Sequence, residues 1–501
     1  MSELELKFQV LPTQRAALLK ALGPRKLERV TMLARYFDTA DHLLARHRFA
    51  LRLRQENGLW VQTLKASGTE GLERLEHNVA LPASDVPSGA TPAIEPARHR
   101  DTEVGRRLAA LLSKHGGPAL RETYRTEVAR IRRLVRGHGC TVEWSLDEGL
   151  IAADGRTRPI CELELEYEGG DTAGLYAMAR DWQSRHGLWL DVVSKAQRGT
   201  ELMQGRAFAA PVRAAAPDWT AKTIRRADDD ALLRRLVSNA LSQVLPNAGE
   251  IAGGSVDAEH VHQLRVGLRR LKIVATEFAP RAPAFDPGWI AATTPVFALA
   301  GARRDRQTLL ESLAPALQAA GAPLAEPAVA ASDGDDQALA ALVRGNAFQR
   351  SLLYLLGYAG GHAEATTATA PSPPGLVRQL RRRLRHLSRQ VARDGERLAT
   401  LSLEQQHRVR KRLKRLRYLT QFFAPLFGRD DLPRWAKAVR AAQTALGAHV
   451  DGLHAADRFE AAAAADPRAW FAVGWLRARA RQTTAASRRA LNALQRVAPP
   501  W

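Results

Sequence analysis

The first residues of the chain alternate charged with apolar side chains: Glu3, Glu5 and Lys7 against Leu4, Leu6 and Phe8. In an extended strand, positions i, i+2 and i+4 point to the same side, so these charges would share one face. Later segments repeat the device. Arg52 and Arg54 flank Leu53, Thr63 and Lys65 flank Leu64, and Arg74 and Glu76 flank Leu75. Arg125 with Glu127, Glu143 with Asp147, and the run Glu162, Glu164, Glu166 follow. Any one of these is ordinarily a solvated strand face. As a set they differ, because carboxylates and cations are sorted between strands instead of being mixed as surface pairs. If the strands close with charged faces inward, clustered carboxylates would stand beside clustered Arg and Lys. Such an interior is sensible when hard divalent cations, Mg²⁺ or Mn²⁺, sit on the carboxylates and phosphates sit on the cations. The guanidinium fork suits phosphate oxygens, and lysine acts as a point charge.

The elements that must position these groups follow two grammars. Period-2 segments occur at 2–10, 49–55, 59–66, 73–81, 122–133, 141–147 and 159–168, with helical stretches at 12–22, 101–114 and 171–186. This predicts an α+β domain over 1–205, built on an antiparallel β-barrel or tunnel. Residues 206–221 read as a linker, holding two prolines and little periodicity. From 222 to 501 the pattern is helical and predicts an all-α bundle. A Gly/Ala/Thr/Pro-rich break at 359–375 divides it into halves of about 222–358 and 376–501.

Those halves resemble each other. His262, Arg265, Leu268, Arg269, Arg270, Leu271 and Lys272 align with His407, Arg410, Leu413, Lys414, Arg415, Leu416 and Arg417 at an offset of 145 residues. Phe278-Ala279-Pro280 meets Phe423-Ala424-Pro425 at the same offset, and Gly301 and Asp305 meet Gly447 and Asp451 one residue later. Three agreements in order indicate an internal duplication of a helical unit. In the second copy His407, Arg410, Lys411, Lys414, Arg417 and Tyr418 fall on one helix face. Between 378 and 417 there are fifteen Lys/Arg and three Asp/Glu. A solvated basic face is the ordinary meaning of such a run, but a cationic stripe with a histidine at the same place in both copies is an arrangement.

The 74 Lys and Arg against 52 Asp and Glu among 501 residues leave a net charge of +22, which favours polyanions. Nucleic acid is among them, with no sign of specificity. The cysteines, Cys140 and Cys161, lie far from any metal-ligand spacing. No apolar run approaches the ~18 residues of a membrane helix, and no signal peptide is visible. The expectation is a cytoplasmic protein without membrane partners. There is no Walker A pattern.

Glu3-x-Glu5-x-Lys7 resembles the ExExK signature of CYTH domains, the triphosphate tunnel metalloenzymes. Leu51-Arg52-Leu53-Arg54, Thr63-Leu64-Lys65, Arg74-x-Glu76, Arg125, Asp147, Glu162-x-Glu164 and Ser194-Lys195-Ala196-Gln197-Arg198-Gly199 match in order across about 2–203. The resemblance implies metal-dependent hydrolysis of inorganic triphosphate. Glu3, Glu5, Asp147, Glu162 and Glu164 would hold Mg²⁺ or Mn²⁺. Lys7, Arg52, Arg54, Lys65, Arg74, Arg125, Lys195 and Arg198 would grip phosphates, and Glu76 would orient a cation or water. Catalysis would centre on Glu3, Glu5, Lys7, Lys65 and Glu76. The helical pattern, His-x-x-Arg-x-x-Leu-basic-basic-Leu-basic followed by Gly-x-x-x-Asp, resembles the CHAD domain. That implies binding of inorganic polyphosphate by His262, Arg265, Arg269, Arg270, Lys272, Arg303, Arg304, His407, Arg410, Lys411, Lys414, Arg417 and Tyr418. At 449 the second copy has His449 where the first has Arg303. Alternatives are an organic triphosphate as substrate, as in thiamine triphosphatases or class IV adenylyl cyclases, or a non-catalytic polyphosphate-binding scaffold.

Overall fold

The computed structural model describes residues 4–23, 27–67, 74–82, 91–282, 285–325, 334–362, 375–428 and 430–501. Glu3 lies outside them, and so does the side chain of Arg74. The chain forms two compact units. One comprises Met1–Arg213, Leu241–Leu264 and Ala340–Glu364, the other Ala214–Ala240, Arg265–Leu339 and Ala365–Trp501.

The first unit is built on nine strands: β1 (Glu5–Gln9), β2 (Glu28–Asp38), β3 (Phe49–Glu56), β4 (Leu59–Ser67), β5 (Arg74–Leu81), β6 (Arg121–Gly137), β7 (Cys140–Ala153), β8 (Arg156–Gly170) and β9 (Trp189–Leu190). They pair antiparallel in the order β5-β4-β3-β2-β6-β7-β8-β1-β9. Antiparallel strands followed by helices are the expected class. Closure is not seen: among the described residues β5 and β9 do not pair, so the sheet is open. Sequence periodicity had also passed over β2, at the middle of the sheet. Its apolar residues run together as Met32-Leu33-Ala34 and Tyr36-Phe37, which blurs the alternation.

Helices α1 (Arg15–Leu22), α2 (Leu43–Arg46), α3 (Glu103–Lys114), α4 (Thr172–His186) and α5 (Lys195–Met203) accompany the strands. Alternation decides which face they cover. Leu51 and Leu64 are sealed with Leu43, Leu44, Val104 and Leu108 of α2 and α3. Phe8, Leu163 and Leu165 are also fully buried. Each such side chain contributes about 1.5–3 kcal/mol on burial. A one-residue slip would send these leucines to the charged side and the carboxylates into the core, so burial fixes the register.

The remaining helices are α6 (Ala221–Arg226), α7 (Asp229–Ala252), α8 (Ala258–Phe278), α9 (Trp289–Thr308), α10 (Ala314–Ala319), α11 (Gly334–Arg344), α12 (Asn346–Ala359), α13 (Leu376–Glu396), α14 (Leu403–Phe422), α15 (Asp431–Ala462) and α16 (Ala469–Gln495). In α14 the capping box of Ser402 and Gln405 satisfies the first-turn amides. Val409, Leu413 and Leu416 of that helix are buried, leaving its basic positions on other faces. No described helix is long and apolar enough to cross a membrane.

Candidate active site

Register brings the charged groups together. Lys7 on β1 lies opposite Glu164 on β8, and Gln9 opposite Glu162. Asp147 on β7 faces Glu162 on its other side, and Arg130 on β6 faces Asp147. Helix α5 completes the group. Ser194 caps it by accepting from the Gln197 amide at 3.2 Å, which starts the helix at Lys195. The helix sits close to the sheet because residue 199 is glycine: a Cβ there would lie 2.2 Å from the Tyr124 ring.

The ammonium of Lys195 stands 2.8 Å from Asp147 Oδ2, 2.9 Å from Glu162 Oε2 and 2.7 Å from Glu164 Oε1. Arg130 donates to Asp147 through Nε at 2.6 Å and Nη2 at 2.7 Å, and also reaches Glu164. Lys7 adds a contact to Glu162 at 3.2 Å and donates to the Val193 carbonyl. Asp147 is fully buried and Glu162 nearly so. Burial opposes the charged form of Glu164, yet Lys195 and Arg130 outweigh it and hold its carboxyl far below the ordinary range. Glu162 is likewise lowered against its burial by Lys195 and Lys7. Burial also opposes the Lys195 ammonium, and the three carboxylates outweigh that, raising its pKa well above normal.

A second stretch of the same sheet carries Arg52, Arg54, Lys65 and Glu76. Glu76 pairs with Lys65 and accepts from Asn78 at 3.0 Å. Arg52 donates to the Tyr36 hydroxyl at 3.1 Å, while its buried Nε has no hydrogen-bond partner in the protein. Burial and the neighbouring Arg52 push Arg54 down to about 10. These cations are crowded and under-satisfied, as a site for an anion requires.

Other expected residues go elsewhere. Arg125 is exposed and pairs with Glu127 at 2.9 Å, away from the cluster. Arg198 turns from the cluster to Asp191 at 3.0 Å and Glu250 at 2.6 Å. Glu5 stands on β1 opposite Glu166. Sequence reasoning missed Arg130 and Asp191. The parity of Arg130 with Thr126 and Val128, both buried, was the available signal.

Among the described residues no three acidic, His or Cys side chains stand as a ready metal-ligand group. The donor chemistry nevertheless fits a hard dication, because Asp147, Glu162 and Glu164 already turn oxygens on one cationic nitrogen, that of Lys195.

In the second unit, Arg410 of α14 makes a bidentate pair with Asp451 of α15 at 2.8 and 3.1 Å. Gly447 gives the guanidinium room, its missing Cβ falling 3.5 Å from Arg410 Nη2. Gly301 does the same for Arg265 at 3.1 Å, so both copies share the device. Arg265 and Arg269 lie over the Phe297 ring at 5.4 and 5.6 Å. Asp305 meets Arg458 at 3.9 Å. Lys414 is pushed down to about 6 by burial and by Arg269, Arg410 and Arg265. His407 is pushed down to about 4 by burial, Lys411 and Arg410. The Nε atoms of Arg265, Arg410 and Arg417 are buried without hydrogen-bond partners.

Lys272 and Lys411 are exposed. Arg303 pairs with Asp336, and Arg304 donates to Gln307 at 2.8 Å. Arg270 is buried instead, donating to Asn239 and the Ala215 carbonyl. Tyr418 is buried under the Arg417 guanidinium. His262, on α8, belongs to the first unit. His449 is taken up by Thr483 at 2.8 Å and Gln406 at 2.9 Å, which explains how a neutral ring replaces a cation there.

Two family models match the chain in succession. Residues 1–200 match the CYTH domain family and residues 235–460 the CHAD domain family. The inorganic triphosphatase of Haemophilus influenzae is 27% identical over 212 residues, 40% of this chain and 54% of that protein. The chain therefore spans about half the length of the curated relative it matches. The crystal structure of the CHAD domain from Ricinus communis aligns at 25% identity and a TM-score of 0.46, over 57% of this chain and 97% of its own. A Hippeastrum protein, named as an adenylyl cyclase and reported with a dominant triphosphatase activity, aligns at 20% identity and a TM-score of 0.30, over 42% and 98%. The chain joins a CYTH domain to a CHAD domain.

Proposed function

We propose that the CYTH domain hydrolyses inorganic triphosphate to pyrophosphate and phosphate with Mg²⁺ or Mn²⁺, and that the CHAD domain binds inorganic polyphosphate. The observation that carries this reading is the turning of Asp147, Glu162 and Glu164 on one cation beside a row of crowded Arg and Lys. The name of the Haemophilus relative supports the substrate.

Asp147, Glu162 and Glu164, with Glu3 and Glu5, would hold the dication, whose chemistry is neutralisation of phosphate charge. Lys7, Arg52, Arg54, Lys65, Arg130 and Lys195 bind and orient the phosphate chain, their donors fixed by the sheet and by helix α5 before substrate arrives. Glu76 holds the Lys65 ammonium in place. Loose phosphoryl transfer asks little of a base, so positioning and charge stabilisation do most of the work. In the CHAD domain Arg265, Arg269, Arg410 and Lys414 form the core of the polyanion site, with Asp451 bracing Arg410.

The test is phosphate release from triphosphate, ATP, thiamine triphosphate and long polyphosphate with either metal. Triphosphate should be the preferred substrate, and E164Q should abolish its turnover. Preference for ATP or thiamine triphosphate, or full activity in E164Q, would refute the reading. For the CHAD domain, RNA at matched salt should fail to displace bound polyphosphate.

A further inference from the structure

Behind the carboxylate cluster runs a second, fully enclosed charge chain that phosphate binding does not explain. Asp191, which follows β9, approaches Lys7 Nζ with Oδ2 at 3.6 Å. The same oxygen accepts from Gln9 Nε2 at 2.7 Å and Arg198 Nη2 at 3.0 Å, while Oδ1 accepts from the Val193 amide at 2.8 Å. Arg198 then pairs through Nη1 with Glu250 Oε1 at 2.6 Å. Glu250 lies on α7, in the stretch that packs with the first unit, and its other oxygen accepts from the Ala209 amide at 3.3 Å. Asp191, Arg198 and Glu250 are 2%, 6% and 1% exposed, so none is a solvated surface charge. Arg158, the other cation in this region, donates to the Ala207 carbonyl at 2.6 Å.

A buried ion chain is a poor source of stability, since apolar residues of similar volume do as well or better. It is effective at fixing positions. Lys7 already donates to Glu162 and to the Val193 carbonyl, and Asp191, which also accepts from the Val193 amide, closes the set on its remaining side. Resting on the phosphate-binding role of Lys7, we infer that Glu250, acting through Arg198 and Asp191, is a positioning residue that sets where the Lys7 ammonium meets the substrate. A residue 243 positions away, on a helix outside the CYTH strands, thus tunes the site. Glu250 touches no substrate and is not a catalytic residue.

The full-length chain is compared with E250Q, E250D, D191N, K7A and the double variant K7A/E250Q. E250Q should raise KM for triphosphate about tenfold, through loss of the close Arg198–Glu250 ion pair, with kcat within about twofold. E250D should recover part of the loss. In the K7A background E250Q should have no further effect on KM, because coupled residues are not additive. Independently of substrate, acetylation of the Lys7 amine, followed by mass spectrometry, should quicken several-fold in E250Q and D191N while Lys195 is unaffected. Additive effects of K7A and E250Q, or an unchanged Lys7 labelling rate in both variants, would overturn the inference. Faster Lys7 labelling in E250Q and D191N, alongside a wild type that hydrolyses no triphosphate, would remove the substrate assignment and leave the positioning chain standing.

Discussion

Arg130 and Asp147 face each other across β6 and β7 and are joined by two hydrogen bonds, at 2.6 and 2.7 Å. The geometry is a guanidinium fork on a carboxylate, and the carboxylate is fully buried. R130A would leave it to Lys195 alone, 2.8 Å away, for a loss at the lower end of the ~3–5 kcal/mol that removing one partner of a buried pair costs. R130K keeps the charge but loses the fork, for a smaller loss of about 1–3 kcal/mol. Urea denaturation measures both. Triphosphate KM should rise in R130A and stay within about twofold in R125A, since Arg125 is engaged with Glu127 on the exposed side.

Lys195 supplies the shared positive charge of three carboxylates. K195M should lower the melting temperature in chelator by several degrees, in keeping with a loss of about 3–5 kcal/mol for an uncompensated buried charge. Millimolar Mg²⁺ or Mn²⁺ should restore most of it, as the dication takes over the neutralisation. Differential scanning calorimetry with and without metal reads the effect. No recovery with either metal would remove these carboxylates as the metal site.

Proton linkage should mark the CHAD site. Lys414 is held down to about 6 in the folded chain, against about 10.4 for a free lysine. The unfolded chain therefore binds more protons between these values, and this residue's contribution makes stability rise with pH across that window. A bound polyanion favours the charged form, so polyphosphate binding near pH 8 should take up a proton. Calorimetry in buffers of different ionisation enthalpy should show up to one proton taken up by the wild type, and that share lost in K414M.

The two glycine notches predict unequal damage. G301A places a Cβ 3.1 Å from the Arg265 guanidinium, tighter than the 3.5 Å at Arg410 for G447A. Polyphosphate affinity should fall by several-fold in G301A and by less than about twofold in G447A, an ordinary van der Waals contact. Fluorescence anisotropy with labelled polyphosphate at fixed salt decides the order.

Much of the CYTH site could be read from alternation, because Lys7, Asp147, Glu162 and Glu164 stand among leucines that helices cover from the other side. Arg130 and Arg125 show where that logic fails. On β6 the inward parity also carries Tyr124 and Val128, which pack with Tyr36, Ile151 and Leu202 and with Ala196 and Met203 of α5. An apolar residue there marks the inner face, the reverse of its meaning on β3 and β8. Asp191 and Glu250 were illegible for a different reason. Their role arises from two positions 59 apart that meet through Arg198, and no local period records such a meeting. In the helical half the duplication matched Arg265 with Arg410 and Gly301 with Gly447, but that each glycine makes room for the arginine only the structure shows. Nor could the duplication show that Arg270 faces Asn239 and the core.

Helix α5 is only nine residues long, yet it is indexed against the sheet by the gap at Gly199, where the Tyr124 ring lies. Any side chain at 199 would lift the helix off β6 and withdraw Lys195, one turn earlier, from its three carboxylates. A substitution that alters no charge would then behave like the deletion of one. The precision of the chemistry in this protein is thus set by a point of steric clearance between a glycine and a ring, neither of which carries a charge.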